Sequence, residues 1–297
     1  MEEKIRKRKI VLVGTGFVGM SFAYSLLSEK GINELILIDM NKDKAVGEQM
    51  DLSDGLPYAD SKMTIKAGDY DECKDADIVV VTAGAAQKPG QTRLELVTIN
   101  AKITKDVATQ IKNSGFNGIM VVASNPVDIM TYVAYRASGL PKEHVIGSGT
   151  ILDTARLRYN ISKRLGIAPS NVHAYIMGEH GDSSFVPWIH CYLGCKNLLE
   201  YIDEEDNLGL EDLQDIYMEV RNAAYEIINR KRATYYGIGL ALKRLVSCLL
   251  NDEKAILTVS TYQNGEYGRE GYYIGTPAVV GSNGVEKIVR LPLTEMD

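Results

Sequence analysis

Asp153 and Arg156, within Leu152-Asp153-Thr154-Ala155-Arg156, are spaced to share one face of a helix. Further along, Gly178-Glu179-His180-Gly181-Asp182 sets a histidine between glycines, where backbone can approach a ligand closely. Imidazole exchanges its proton near neutral pH. A carboxylate behind it would fix its tautomer and favour its charged form. A guanidinium beside it would grip an anion by a two-pronged contact. These residue types outline acid/base chemistry on a small carboxylate.

A second set of residues supplies a place for phosphate. Gly14-Thr15-Gly16-Phe17-Val18-Gly19 follows an apolar run and opens a helical one, the context a Gly-x-Gly-x-x-Gly turn requires. The first glycine makes the turn, the second admits a pyrophosphate, and the third lets helix and strand pack closely. The helix N-terminus adds its positive end. Asp39 ends the next apolar run about 20 residues on, where a carboxylate takes a ribose diol. It would repel a 2′-phosphate, so NAD is expected over NADP.

Gly84-Ala85-Ala86-Gln87-Lys88-Pro89-Gly90-Gln91-Thr92-Arg93 has glycines flanking a polar middle, as a closing loop would. It leaves the carboxyl end of a strand, and Arg93 could move with it to stabilise charge on a substrate oxygen. Taken alone, Arg93 reads as a surface ion-pair partner at a helix start; with His180 and Arg156 elsewhere in the chain, the lid role is expected. Asn125, in Ser124-Asn125-Pro126, can donate and accept to a substrate or a nicotinamide amide, or simply make a turn.

The elements that must position these groups follow from periodicity. Residues 10–13, 35–38, 78–82 and 119–123 are continuously apolar, as strands covered on both faces are. Helical stretches are expected from about Gly16 to Lys30, through Met50, and from Arg93 to Lys112. Alternation of this kind predicts an α/β fold, a Rossmann doubly wound parallel sheet, over residues 1–149. Residues 150–297 should form an α+β substrate domain. It would have helices at 150–165 and along Leu213, Ile216, Tyr217, Val220, Ala224, Ile227 and Ile228, then strands at 256–262, 272–280 and 286–290. A cleft is expected between the two lobes.

The 297 residues carry a formal charge of −6, which argues against general nucleic-acid binding. The basic run from Lys4 to Lys9 reads as a solvated lead-in. No apolar run approaches transmembrane length and no signal-peptide core is visible, so a cytoplasmic protein without membrane contact is expected. Four cysteines make no disulfide framework. Cys191 and Cys195 could face each other on a helix beside His190, but no second ligand cluster accompanies them and no metal is expected.

Taken together, the glycine turn, Gln87-Lys88-Pro89-Gly90, Ser124-Asn125-Pro126, Leu152-Asp153-Thr154-Ala155-Arg156 and Gly178-Glu179-His180-Gly181-Asp182 appear in an order that resembles the lactate/malate dehydrogenase family along the whole chain. The resemblance implies that His180 is the acid/base, Asp153 its carboxylate partner, Arg156 the clamp on a substrate carboxylate and Arg93 the lid residue that polarises the carbonyl. Asn125 and Ser148 would place substrate and nicotinamide. The implied cofactor set is Gly14, Gly16, Phe17, Val18, Gly19, Asp39, Thr82, Ala83, Gly84, Asn125, Ser148 and Ile238. Malate enzymes of the family carry arginine just before Lys-Pro-Gly; here Gln87 is neutral, and an unpaired second carboxylate against it would be costly. Thr234 would wall a methyl pocket and Ile238 would back the nicotinamide ring. Pyruvate and L-lactate are the expected substrates. Arg158 and His173 match positions that bind fructose 1,6-bisphosphate at a subunit interface of bacterial members, which implies an allosteric homotetramer.

Two departures from the family pattern stand out. Arg232 replaces a frequent glycine before Ala233-Thr234, a change expected to touch only the helix surface. The chain stops at Asp297, where members usually continue into a C-terminal amphipathic helix, so that helix is expected to be missing. The alternatives are a malate or other 2-hydroxy acid dehydrogenase, an NAD-dependent glycosidase, and a catalytically silent dinucleotide-binding protein.

Overall fold

The computed structural model describes residues 8–85, 93–204 and 209–294. The four apolar runs form β1 (Lys9–Val13), β2 (Glu34–Ile38), β4 (Ile78–Val81) and β5 (Ile119–Val122), and two short strands that the periodicity did not reveal, β3 (Thr64–Ala67) and β6 (Val145–Gly147), join them. They align in parallel in the order β3-β2-β1-β4-β5-β6, with register pairs such as Val11 with Ile36 and Val79 with Met120. This is the doubly wound order, in which ligands bind beyond the carboxyl ends of the strands where the order reverses, here between β1 and β4. Every residue of β1, β4 and β5 is buried, because helices cover both faces.

The intervening helices are α1 (Phe17–Leu26), α2 (Lys42–Gly55), α3 (Arg93–Asn113) and α4 (Val127–Ser138). α1 ends before Lys30, because the Leu27 and Ser28 amides turn back to Tyr24 and Ser25 in tight single-turn bonds. α2 runs on past Met50. It starts at Asn41, whose side chain accepts the Lys44 N–H. α4, which the apolar periodicity did not reveal, buries Val127, Met130 and Ala134 and stops at left-handed Gly139.

The second half opens with α5 (Ile151–Leu165), followed by a small sheet of β7 (Val172–His173), β8 (Tyr192–Leu193) and β9 (Lys196–Asn197). The stretch holding Cys191 and Cys195 is therefore a hairpin and not a helix. Cys191 is buried and Cys195 exposed, and no metal-holding group of His, Cys, Asp and Glu occurs among the described residues. Then come α6 (Leu198–Glu204), α7 (Leu210–Lys231), α8 (Tyr236–Leu250), and the antiparallel strands β10 (Ala255–Asn264), β11 (Glu270–Gly281) and β12 (Gly284–Ile288). These last strands extend the first sheet, β10 meeting β6 at the pair Ser260 and Gly147. An exposed β6 edge would leave its amides and carbonyls unpaired, and β10 covers it.

Three apolar clusters fill the interior. One packs α1 and α8 on one face of the sheet, a second packs α3 and α4 on the other, and a third joins α5, α7 and β7. No helix among the described residues is long and apolar enough to cross a membrane.

Candidate active site

Asp153 lies in the first turn of α5 and Arg156 one turn on. Arg156 Nη1 donates to Asp153 Oδ1 at 3.1 Å, on the shared helix face that the spacing predicts. The other carboxylate oxygen meets His180 Nδ1 at 2.6 Å. An ionised Asp153 accepts only, so Nδ1 carries a proton toward it and Nε2 is left to exchange one. Thr150 and Thr154 hold the two segments in this register. The Thr150 hydroxyl donates to the Ile176 carbonyl, and Thr154 Oγ1 accepts the Ile176 N–H. Beyond Ile176 the chain is pinned again, Gly178 exchanging both backbone bonds with Gly275 of β11.

Electrostatics follow from this packing. Burial opposes the charged imidazolium of His180, but the hydrogen bond and charge of Asp153, and then the charge of Asp128, outweigh it and raise its pKa above the ordinary value. Burial likewise opposes the Asp153 carboxylate, while His180 and Arg156 hold its pKa below the usual carboxylate range. The trio can therefore hold a proton on imidazole at higher pH than an ordinary histidine does, beside a fixed cation.

The glycine turn sits at the junction of β1 and α1. Gly14 adopts φ +103°, and a Cβ on Gly19 would lie 2.1 Å from the Gly14 carbonyl oxygen. A Cβ on Gly16 would meet nothing within 4 Å, and no side chain caps α1. Open space in front of uncapped N–H groups fits a pyrophosphate. Phe17 is exposed there and Val18 packs against the core. Thr82 donates to the Gly14 carbonyl, and Ser124 reaches across to the carbonyl of Ala83, next to Gly84.

Asp39 accepts the Thr15 N–H and hydroxyl and the Asn41 N–H. Burial would raise its pKa, yet these donors and the nearby Lys44 charge lower it, leaving an anion with acceptor capacity for a diol. The residues present thus suit a dinucleotide with a free 2′-hydroxyl.

Asn125 and Ser148 follow the carboxyl ends of β5 and β6. Asn125 is exposed after β5, its carbonyl held by the Asn100 side chain. Ser148 is buried after β6. Thr234 lies in the joint between α7 and α8, next to Tyr235, whose ring stacks on Phe17 with centroids 5.1 Å apart. Ile238, in the first turn of α8, packs against the core that supports α1. Gln87 lies outside the described residues. Arg93 opens α3, and its side chain is likewise outside them.

Arg158 lies over the Tyr175 ring, 4.9 Å from its centroid. Arg158 Nε donates to the Ala174 carbonyl at 3.0 Å, and neighbouring His173 is exposed on β7. Arg232 is corrected by the structure: it is the left-handed cap of α7 at φ 70°, not merely a surface position. Sequence reasoning missed Asp128, Ser260 and Asn100. Their only signal is polar character within apolar runs, and their partners lie far along the chain.

Comparison with known proteins agrees with this layout. Residues 8–147 match the lactate/malate dehydrogenase NAD binding domain, and residues 150–297 match the alpha/beta C-terminal domain of the same family. L-lactate dehydrogenase 2 of Lactococcus lactis subsp. lactis is 54% identical over 288 residues, 97% of this chain and 92% of that protein. A lactate dehydrogenase from a Medee basin deep-sea metagenome library superposes with a TM-score of 0.96 at 54% identity, covering 98% of this chain and 93% of that one. The minor L-lactate dehydrogenase of Enterococcus mundtii, in its ligands-bound form, gives 0.95 at 50% identity, with 98% and 93% covered. With a glycine turn at the sheet's switch point and an Arg–Asp–His relay beyond it, matched along nearly the whole length, the chain belongs to the lactate/malate dehydrogenase family.

Proposed function

We propose that this protein is an NAD-dependent L-lactate dehydrogenase, interconverting pyruvate and NADH with L-lactate and NAD. The observation that carries the reading is the Asp153 carboxylate shared between His180 Nδ1 and Arg156 Nη1. When bound, NADH supplies the hydride that reduces the carbonyl carbon. His180 gives its Nε2 proton to the carbonyl oxygen, and Asp153 stabilises the imidazolium before that transfer. Arg156 receives the substrate carboxylate, and Arg93 polarises the carbonyl. Asn125 and Ser148 orient substrate and nicotinamide. Gly14, Gly16, Phe17, Val18 and Gly19 receive the pyrophosphate with Thr82, Ala83 and Gly84 alongside, Asp39 takes the ribose, and Ile238 backs the nicotinamide.

Gln87 and Thr234 supply the preference for pyruvate over oxaloacetate, since neither carries a cation for a second carboxylate. A panel of 2-oxo acids followed by NADH absorbance tests this. Pyruvate should give the highest kcat/KM; a higher value with oxaloacetate would make the protein a malate dehydrogenase.

Arg158 and His173 form an effector site for fructose 1,6-bisphosphate in a cytoplasmic homotetramer. Their support is adjacency, an arginine bonded one residue from an exposed histidine. The sugar bisphosphate should lower the KM for pyruvate; an unchanged KM throughout the neutral pH range ends the effector reading.

A further inference from the structure

A buried carboxylate is costly unless something in the structure needs it. Asp128, in the first turn of α4, is 9% exposed. Its Oδ2 accepts the His180 N–H at 3.1 Å, and its Oδ1 accepts the hydroxyl of Ser260 from β10. Both donors are neutral, so the carboxylate is hydrogen-bonded through neutral groups while its negative charge lies near the imidazole. The same turn of chain follows Asn125 directly, so one rigid helix start joins the Asn125 backbone to the backbone of His180.

We propose that Asp128 is a positioning residue for His180, anchoring the main chain of the 178–182 loop and adding a second carboxylate charge beside the imidazole. The activity readouts below rest on the dehydrogenase reading; the titration does not. A mere staple would need only an acceptor, which asparagine also provides, whereas the charge is absent from asparagine. Among the described residues, the charged groups acting on His180 are Asp153 and Arg156 from α5 and Asp128 from α4, while Glu179 of the same loop acts on Asp128. Asp182 turns toward Arg221 and Tyr225 of α7. Burial pushes the Asp128 carboxyl up to about 6, against the opposing bonds from Ser260 and His180, so its charge changes just below neutral pH.

The test is an NMR titration of the His180 ring in cofactor-free protein, for the wild type, Asp128→Asn and Asp128→Ala, with pyruvate turnover measured on the same samples. The chain has 4 histidines, and His180→Asn identifies the resonance. Asp128→Asn should lower the His180 midpoint by roughly half a pH unit or more. The alkaline fall of kcat/KM for pyruvate should move the same way. Asp128→Ala, lacking the acceptor, should lose about tenfold more turnover than Asp128→Asn, so that asparagine acts as a partial rescue.

Equal midpoints in the wild type and Asp128→Asn would remove the charge role. Equal turnover in the two variants would remove the anchor. Should Asp128→Ala fail to fold, Ser260→Ala takes its place, since it strips a donor from the ionised carboxylate. It should lower the midpoint by a smaller amount, and no shift there overturns the proposal. Should pyruvate fail as a substrate, the titration still decides the charge role, so the two failures are distinct.

Discussion

His180 has opposite duties in the two directions of the proposed reaction. It must be protonated to reduce a ketone and neutral to oxidise an alcohol. Its pKa is raised, chiefly because Asp153 outweighs the cost of burial, so the protonated form persists above the ordinary value of about 6.5. Pyruvate reduction should therefore persist above that ordinary value and fall as pH rises through the raised midpoint. Asp153→Asn removes the largest raising interaction, and the kcat/KM profile should fall at lower pH; an unmoved profile would contradict the pairing. His180→Asn should cost roughly 10²–10⁴ in kcat while NADH fluorescence titrations stay near wild type. Asp153 and Arg156 were legible in the sequence, because an i, i+3 pair on a helix is a local matter. Asp128 was not, because its partner His180 lies 52 residues away.

At the scale of elements, two backbone positions carry specific demands. Gly19 lets α1 approach β1, and its Cβ replacement would also fall 2.7 Å from Thr82 Oγ1. Gly19→Ala should cost about 1–3 kcal/mol of stability and weaken NADH binding, read by thermal unfolding and fluorescence. If neither changes, the close approach is not what the turn depends on. Arg232 is the converse case, a side chain placed where left-handed backbone favours glycine. Arg232→Gly should stabilise the protein by about 1 kcal/mol in urea unfolding, because the αL strain is relieved. The helix α7 was visible from its apolar stripe, but its strained cap was not, since composition does not report φ. The same limit applies to α4, whose burial on the sheet mixes apolar residues with Asp128 and Thr131.

At the scale of the whole molecule, the buried Asp128 carboxyl makes stability depend on pH. Its pKa of about 6 exceeds the unfolded value of about 3.9. Between these values the folded state holds more protons than the unfolded state, so stability falls as pH rises from about 4 to 6. Asp128→Asn abolishes that fall and should be more stable than wild type at neutral pH, by on the order of 2–3 kcal/mol. Denaturant unfolding at both ends of the window measures it; a variant less stable at neutral pH would show that the charge repays its burial. The joining of β10, β11 and β12 to the sheet's β6 edge belongs to this scale too, through the single pair Ser260 and Gly147. By itself the sequence determined the turn at Gly14–Gly19, four of the buried strands, the shared face of Asp153 and Arg156 and, through the order of its motifs, the family resemblance, because each motif is written in residues near one another in the chain. The tertiary structure supplied the atoms through which Asp153 meets the His180 that the resemblance pairs it with, and it alone decided that Asp128 and Ser260 underpin it and that the last three strands complete the first sheet. Those contacts join distant segments, and their geometry exists only once the apolar faces have packed.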